Sequence, residues 1–168
     1  MTEMLLGSVL VPDIANPRPE DVDVAFMRER LAGMRRFAGH PAALTVADHQ
    51  RVCGLLARRM RLSGDVAEWA EHHDDHEYAT GDIPSPLQQE IGAERLRALQ
   101  ERWEVAICGA LGIAVPTARV RRIVSVVDRV ALALEWRWRL SRDVAELGLS
   151  GFIVQLAERN RAVMVDYL

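Results

Sequence analysis

The chain of 168 residues reads as an all-α protein of about six helices joined by short loops. Three observations predict this. Apolar residues recur every three or four positions over long windows. Residues that start and stop helices bracket those windows. No stretch combines sustained strand alternation with hairpin turns. Residues 1–20 carry Pro12, Pro17 and Pro19 and are expected to be an irregular lead-in, with Pro19 opening a first helix that ends near Gly33. Gly39 and Pro41 make 35–44 a loop. Thr45 and Asp48 have capping-box spacing and open a second helix, whose Val46, Val52, Leu55, Leu56 and Met60 face the core. Ser63-Gly64 ends it. A third helix is expected over 65–78, acid-rich in its first turn as the helix dipole prefers, with Gly81 as its stop. A long amphipathic helix, with room for a kink, follows over 87–111. The next covers 116–140 and buries Val120, Ile123, Val124, Val127, Val130, Ala131 and Leu134; the last covers 150–167. There is no internal repeat and no low-complexity tract.

At this length the chain is most simply one domain, 1–168, able to bury a full core. A hydrophobic fraction of 49% with 27% charged residues fits a globular protein in water. The net charge of −3 argues against a nucleic-acid binder, which needs concentrated positive charge. All 21 basic residues are Arg, a bias that GC-rich codons would also produce. Any phosphate contact must therefore come from Arg, His, backbone or metal. Cys53 and Cys108 lie far apart without CxxC spacing and read as buried thiols in a reducing compartment. No basic n-region precedes the first apolar run, and the longest uncharged stretch, 105–118, is too short to span a bilayer. The expectation is a cytoplasmic protein with no membrane partner.

The segment His72-His73-Asp74-Asp75-His76-Glu77 concentrates three imidazoles and three carboxylates in six residues. From Leu62 to Glu94 there are nine acids and no base, a −9 stretch in a surround of +6. That pattern suits a divalent cation with a basic rim able to hold a phosphorylated substrate. A solvated acidic helix is the bland alternative. On a helix, His73 and Glu77 share a face, with Asp74 beside His73. One helix cannot complete a metal shell, so further donors must come from elsewhere. His49 lies one turn into the second helix. Asp128 interrupts an apolar run and must be either ion-paired or metal-bound.

These residues resemble the HD-domain phosphohydrolases, in particular the small branch of 5′-deoxynucleotidases and phage dATP triphosphohydrolases. The matching pieces are Arg36-Phe37-Ala38-Gly39-His40, Thr45-Val46-Ala47-Asp48-His49, the run from His73 through Gly81-Asp82-Ile83-Pro84-Ser85-Pro86, and Asp128 followed by Glu135. They cover residues 35–135 in order. The resemblance implies a compact HD-domain helical bundle and a divalent-metal site of His49, His73, Asp74 and Asp128. Such donors accept Mn, Co, Zn, Fe or Mg. It implies hydrolysis of deoxynucleotide phosphoester bonds by a metal-bound water. Glu77 corresponds to the carboxylate that handles this water, and Asp82 to the acid that assists at the leaving oxygen or in the outer shell. Arg36 corresponds to an arginine near the substrate, Phe37 to an aromatic able to stack on a base, and His76 to a residue that orients Glu77 or touches phosphate. A homo-oligomer is implied, with the apolar C-terminal helix as one candidate interface.

Two departures stand out. His72 and Asp75 replace an apolar and a small residue, and either stand exposed or bind a second metal with His76. Gln88 and Ser125 occupy places where relatives carry Lys, so a polyphosphate grip is altered unless Arg121 or Arg122 replaces it. Monophosphate and triphosphate substrates are nearly level on these grounds. The rival from another class is a metal- and nucleotide-binding regulatory protein without turnover.

Overall fold

In the computed structural model, which describes residues 3–167, the lead-in is not irregular. It forms a hairpin of β1 (Met4–Leu6) and β2 (Val9–Val11), paired antiparallel with Leu5 opposite Leu10. Leu6 and Val11 turn inward while Leu5 and Leu10 are exposed. Three residues per strand are too few for that alternation to be legible in sequence. The turn needs Gly7: its φ is +61°, and a Cβ there would lie 2.6 Å from Phe26 Cβ. Ser8 Oγ donates to Asp23 Oδ2 at 2.7 Å, pinning the hairpin to the next element.

Pro19 opens only a 3₁₀ turn, Pro19–Asp21; α1 (Val24–Gly33) starts after Asp23, whose carboxylate caps Phe26 N. A single turn, α2 (Arg36–Gly39), interrupts the expected loop, and Arg35 bridges Thr45. The helix α3 (Val46–Arg59) begins where expected, with Thr45 Oγ1 accepting from Asp48 N at 3.1 Å. Val46, Val52 and Leu56 are fully buried on it, but Leu55 points to solvent.

The expected helix over 65–78 is broken. Ser63 precedes α4 (Gly64–Ala70), and α5 (Glu77–Thr80) is a single turn stopped by Gly81 at φ +81°. Between them the backbone is tightened by bonds such as Asp75 N to His72 O and Glu77 N to Asp74 O. Three-residue closures rotate successive side chains by a different step from an α-helix, so His73 and Glu77 do not share an ideal helical face. The kink after residue 87 is likewise a break: Gly92 at φ +106° separates α6 (Ser85–Ile91) from α7 (Ala93–Leu111).

Thr117 caps α8 (Ala118–Trp138), and Ser150 caps α9 (Gly151–Asn160); 3₁₀ turns cover Val144–Leu147 and Arg161–Tyr167. α3, α4 and α8 pack against one another and α9 covers α8, around Val52, Leu56, Trp69, Val127, Leu134 and Ile153. A second cluster joins the hairpin, α1, α5 and α7 through Leu6, Met27, Tyr78, Trp103 and Ile107. Tyr78 and Trp103 meet edge to face with centroids 5.5 Å apart. No helix among the described residues is long and apolar enough to cross a membrane.

Candidate metal centre

Three elements converge where the two cores meet. α3 contributes His49, fully buried; the tight turns after α4 contribute His73 and Asp74; α8 contributes Asp128. His49 Nε2 lies 3.0 Å from Asp128 Oδ1 and 3.9 Å from Asp74 Oδ2. His73 Nε2 lies 3.3 Å from the same Asp74 oxygen and 3.9 Å from Asp128 Oδ1. Donors about 2.1 Å from one cation sit roughly 3.0–3.4 Å apart, so these separations suit a shared ion with little movement. His73 Nδ1 donates to Ala70 O at 2.9 Å, which turns its Nε2, buried and without a hydrogen bond, toward the gathering. The four residues singled out from the sequence are thus brought together. His49, Cys53, His73 and Asp128 form a group that could hold a metal ion.

A second shell braces the first. Glu135, completely buried two turns further along the same face of α8, accepts from Leu44 N at 2.7 Å and from Arg36 Nε at 3.1 Å. Its Oε2 also stands 3.7 Å from His49 Nδ1, the carboxylate–histidine relation that orients metal-binding imidazoles. Arg36 reaches from Glu135 to Asp74 Oδ2 at 3.3 Å. This residue, expected near substrate, is placed as a clasp between a buried carboxylate and a candidate ligand.

The charges are mutually adjusted. Burial opposes protonation of His73, but Asp74 and Asp128 outweigh it and push the imidazole up to about 10. Burial and Arg36 oppose protonation of His49, yet it too is raised by Cys53 and the Asp128 hydrogen bond. Burial would raise both aspartates, but His73, His49 and Arg36 hold Asp74 down, and bonding to the two histidines holds Asp128 well down. The imidazoles and carboxylates thus favour one another's charged forms, and a dication could take the place of protons among them. The donor set fits a divalent metal.

Around this centre Glu77 is buried, and its carboxyl is driven well up by burial and then by Asp74 and Asp82; its Oε2 has no hydrogen-bond partner. Asp82 is half-buried and raised chiefly by burial, and its Oδ2 is also unpartnered. His76 is buried and pushed down by desolvation, with Nδ1 3.8 Å from Glu104 Oε1. Asp74, His76 and Glu77 make a second, smaller donor group. Phe37 is half-buried, 5.6 Å from the Arg36 guanidinium and edge-on to Trp136 with centroids 5.4 Å apart. Its φ is +54°, as is that of Ala38, so the turn carrying Arg36 is strained.

The exposure expected for Asp75 does not hold. Asp75 is 5% exposed and accepts from Gln50 Nε2 at 2.8 Å, while His72 Nδ1 lies 2.7 Å from its other oxygen. With Ala47, Gln50 and Arg51 they line a cavity of about 430 Å³ on the opposite face of α3 from His49 and Cys53. Asp75 is thus held by partners, neither solvated nor grouped with His76. Arg121 is paired with Glu104 and stacked over Trp69 at 5.5 Å. Sequence reasoning missed Cys53 and Trp136 at this site; for Cys53 the signal was present in its spacing of four from His49. Trp136 gave none, since aromatic residues on a core helix are common.

No family model matches the chain. It is similar to an uncharacterized protein of Rhodobacter capsulatus, at 30% identity over 139 residues that make up 79% of this chain and 69% of that one. The chain belongs to the family of that protein.

Proposed function

We propose that the protein is an HD-type hydrolase that removes phosphate from deoxynucleotides, with a divalent metal held by His49, His73, Asp74 and Asp128. The observation that carries this reading is the convergence of those four donors from three separate stretches, at 3.0–3.9 Å, beside a buried Glu77 oxygen with no partner. A bound dication supplies a Lewis acid for a phosphoryl oxygen and makes a nearby water more acidic. Glu77, buried with its Oε2 free of any hydrogen-bond partner, accepts the proton of the attacking water there. Asp82, half-buried with its Oδ2 unpartnered, donates in its protonated form to the leaving 5′ oxygen. Arg36 holds Asp74 in line, and Phe37 with Trp136 offers an aromatic wall for the base.

A deoxynucleoside 5′-monophosphate is the favoured substrate. Gln88 and Ser125 bring no positive charge, and Arg121 is engaged by Glu104, which weakens any polyphosphate grip. The test is phosphate release from dAMP, dGMP, dATP and dGTP with Mn, Co or Zn. Product analysis separates phosphate from triphosphate. Glu77→Ala is expected to lower turnover by about 10²-fold or more with the fold retained by circular dichroism. Full turnover in both Glu77→Ala and Asp74→Ala would end this reading, and nucleotide binding without hydrolysis under every metal would favour a regulatory role.

A further inference from the structure

The structure holds one donor beyond the four used above. Cys53 is fully buried, and its Sγ lies 3.5 Å from His49 Nε2. It stands one helical turn after His49 on α3, the spacing that sets two metal donors on one helix face. Its sulfur, His49, His73 and Asp128 each offer an atom within 4.8 Å of the others. Cys108 is equally buried on α7, yet joins no such group among the described residues. Beside Cys53, the buried His73 Nε2, 3.9 Å from Asp128 Oδ1, makes no hydrogen bond.

We infer that Cys53 is a further ligand of this metal, adding a thiolate to the donors His49, His73, Asp74 and Asp128. The inference deepens the metal centre proposed above and rests on it. As the Sγ–metal bond forms, the Sγ–H bond breaks and its proton leaves to solvent. Imidazole, carboxylate and thiolate are all donors that zinc takes. A thiolate also shifts preference toward zinc, cobalt and ferrous iron and away from magnesium and manganese. Asp74, clasped by Arg36, stays within the set, its Oδ2 3.3 Å from His73 Nε2.

Cobalt(II) reports directly on such ligands, independently of any activity. Metal-free wild-type protein and Cys108→Ser, loaded with cobalt(II), are expected to show visible d–d bands together with a near-ultraviolet thiolate-to-cobalt charge-transfer band. Cys53→Ser should keep the d–d bands and lose the charge-transfer band. Its zinc-over-manganese affinity ratio should fall by about tenfold or more. Visible bands without charge transfer in the wild type, or charge transfer surviving in Cys53→Ser, would overturn the role of Cys53 and leave the metal centre standing. Absence of any cobalt binding would overturn both. Should Cys53→Ser fail to fold, Cys108→Ser decides alone, because Cys53 is then the sole thiol and the band has one source.

Discussion

The two faces of α3 and of the turns after α4 carry nearly the same chemistry to opposite ends. On one face His49, His73, Asp74 and Asp128 crowd together, with imidazoles held up, carboxylates held down, and buried atoms such as His73 Nε2 and Glu77 Oε2 unpartnered. On the other, a residue away in sequence, His72 and Asp75 pair with each other and with Gln50, and neither carries an orphaned atom. Composition cannot separate these faces; hydrogen-bond accounting can. A buried polar group whose partners are complete is part of the scaffold, while one left open is waiting for something.

That difference can be broken most severely at Glu135. It is completely buried and holds both Arg36 and Leu44 N, so Glu135→Ala strands a buried guanidinium and a backbone donor. The expected loss is about 3–5 kcal/mol by urea denaturation. A loss under 1 kcal/mol would show that Arg36 does not depend on it. Next comes Asp128→Ala, which removes a candidate ligand while sparing the hydrophobic stripe of α8. Metal affinity should fall by about 100-fold, or about 2.7 kcal/mol, read by competition with a chromogenic chelator. Wild type should gain thermal stability when metal is added and lose it to chelation; the variant should show a smaller change in both. The opposite face should behave otherwise. Asp75→Ala is expected to cost about 1–2 kcal/mol by unpairing Gln50 and His72, with metal affinity unchanged. If affinity fell as far as in Asp128→Ala, the two faces would not be separate.

What was legible in the sequence follows from how local each cause is. The Thr45 cap, the stripe of α8 and the stop at Gly81 each depend on a few neighbours, and the structure has them where the pattern put them. The breaks were illegible: Gly92 sits within an amphipathic pattern, and only its positive φ shows that two helices meet there. The hairpin is too short to alternate visibly. At the site, the four donors could be named by order and spacing, but their braces could not. Glu135 reaches Leu44 across 91 positions, and Asp75 is buried by Gln50 across 25. Such pairings exist only once the helices pack, so the exposure expected for Asp75 had no local sign of error.

The smallest effect belongs to the strained turn that delivers Arg36 to the centre. Phe37 and Ala38 both have φ of +54°, followed by Gly39 at +83°. A non-glycine residue in this region costs about 1–2 kcal/mol, and glycine would return about 0.5–1 kcal/mol of that through greater freedom in the unfolded chain. Ala38 is exposed, so Ala38→Gly should stabilise by somewhat under 1 kcal/mol. Phe37 cannot be relieved the same way, because its ring is packed edge-on against Trp136. If urea denaturation finds Ala38→Gly less stable than wild type, the strain is not stored at Ala38. A gain with unchanged metal affinity would show instead that the strain at Ala38 is not needed to aim Arg36 at Asp74.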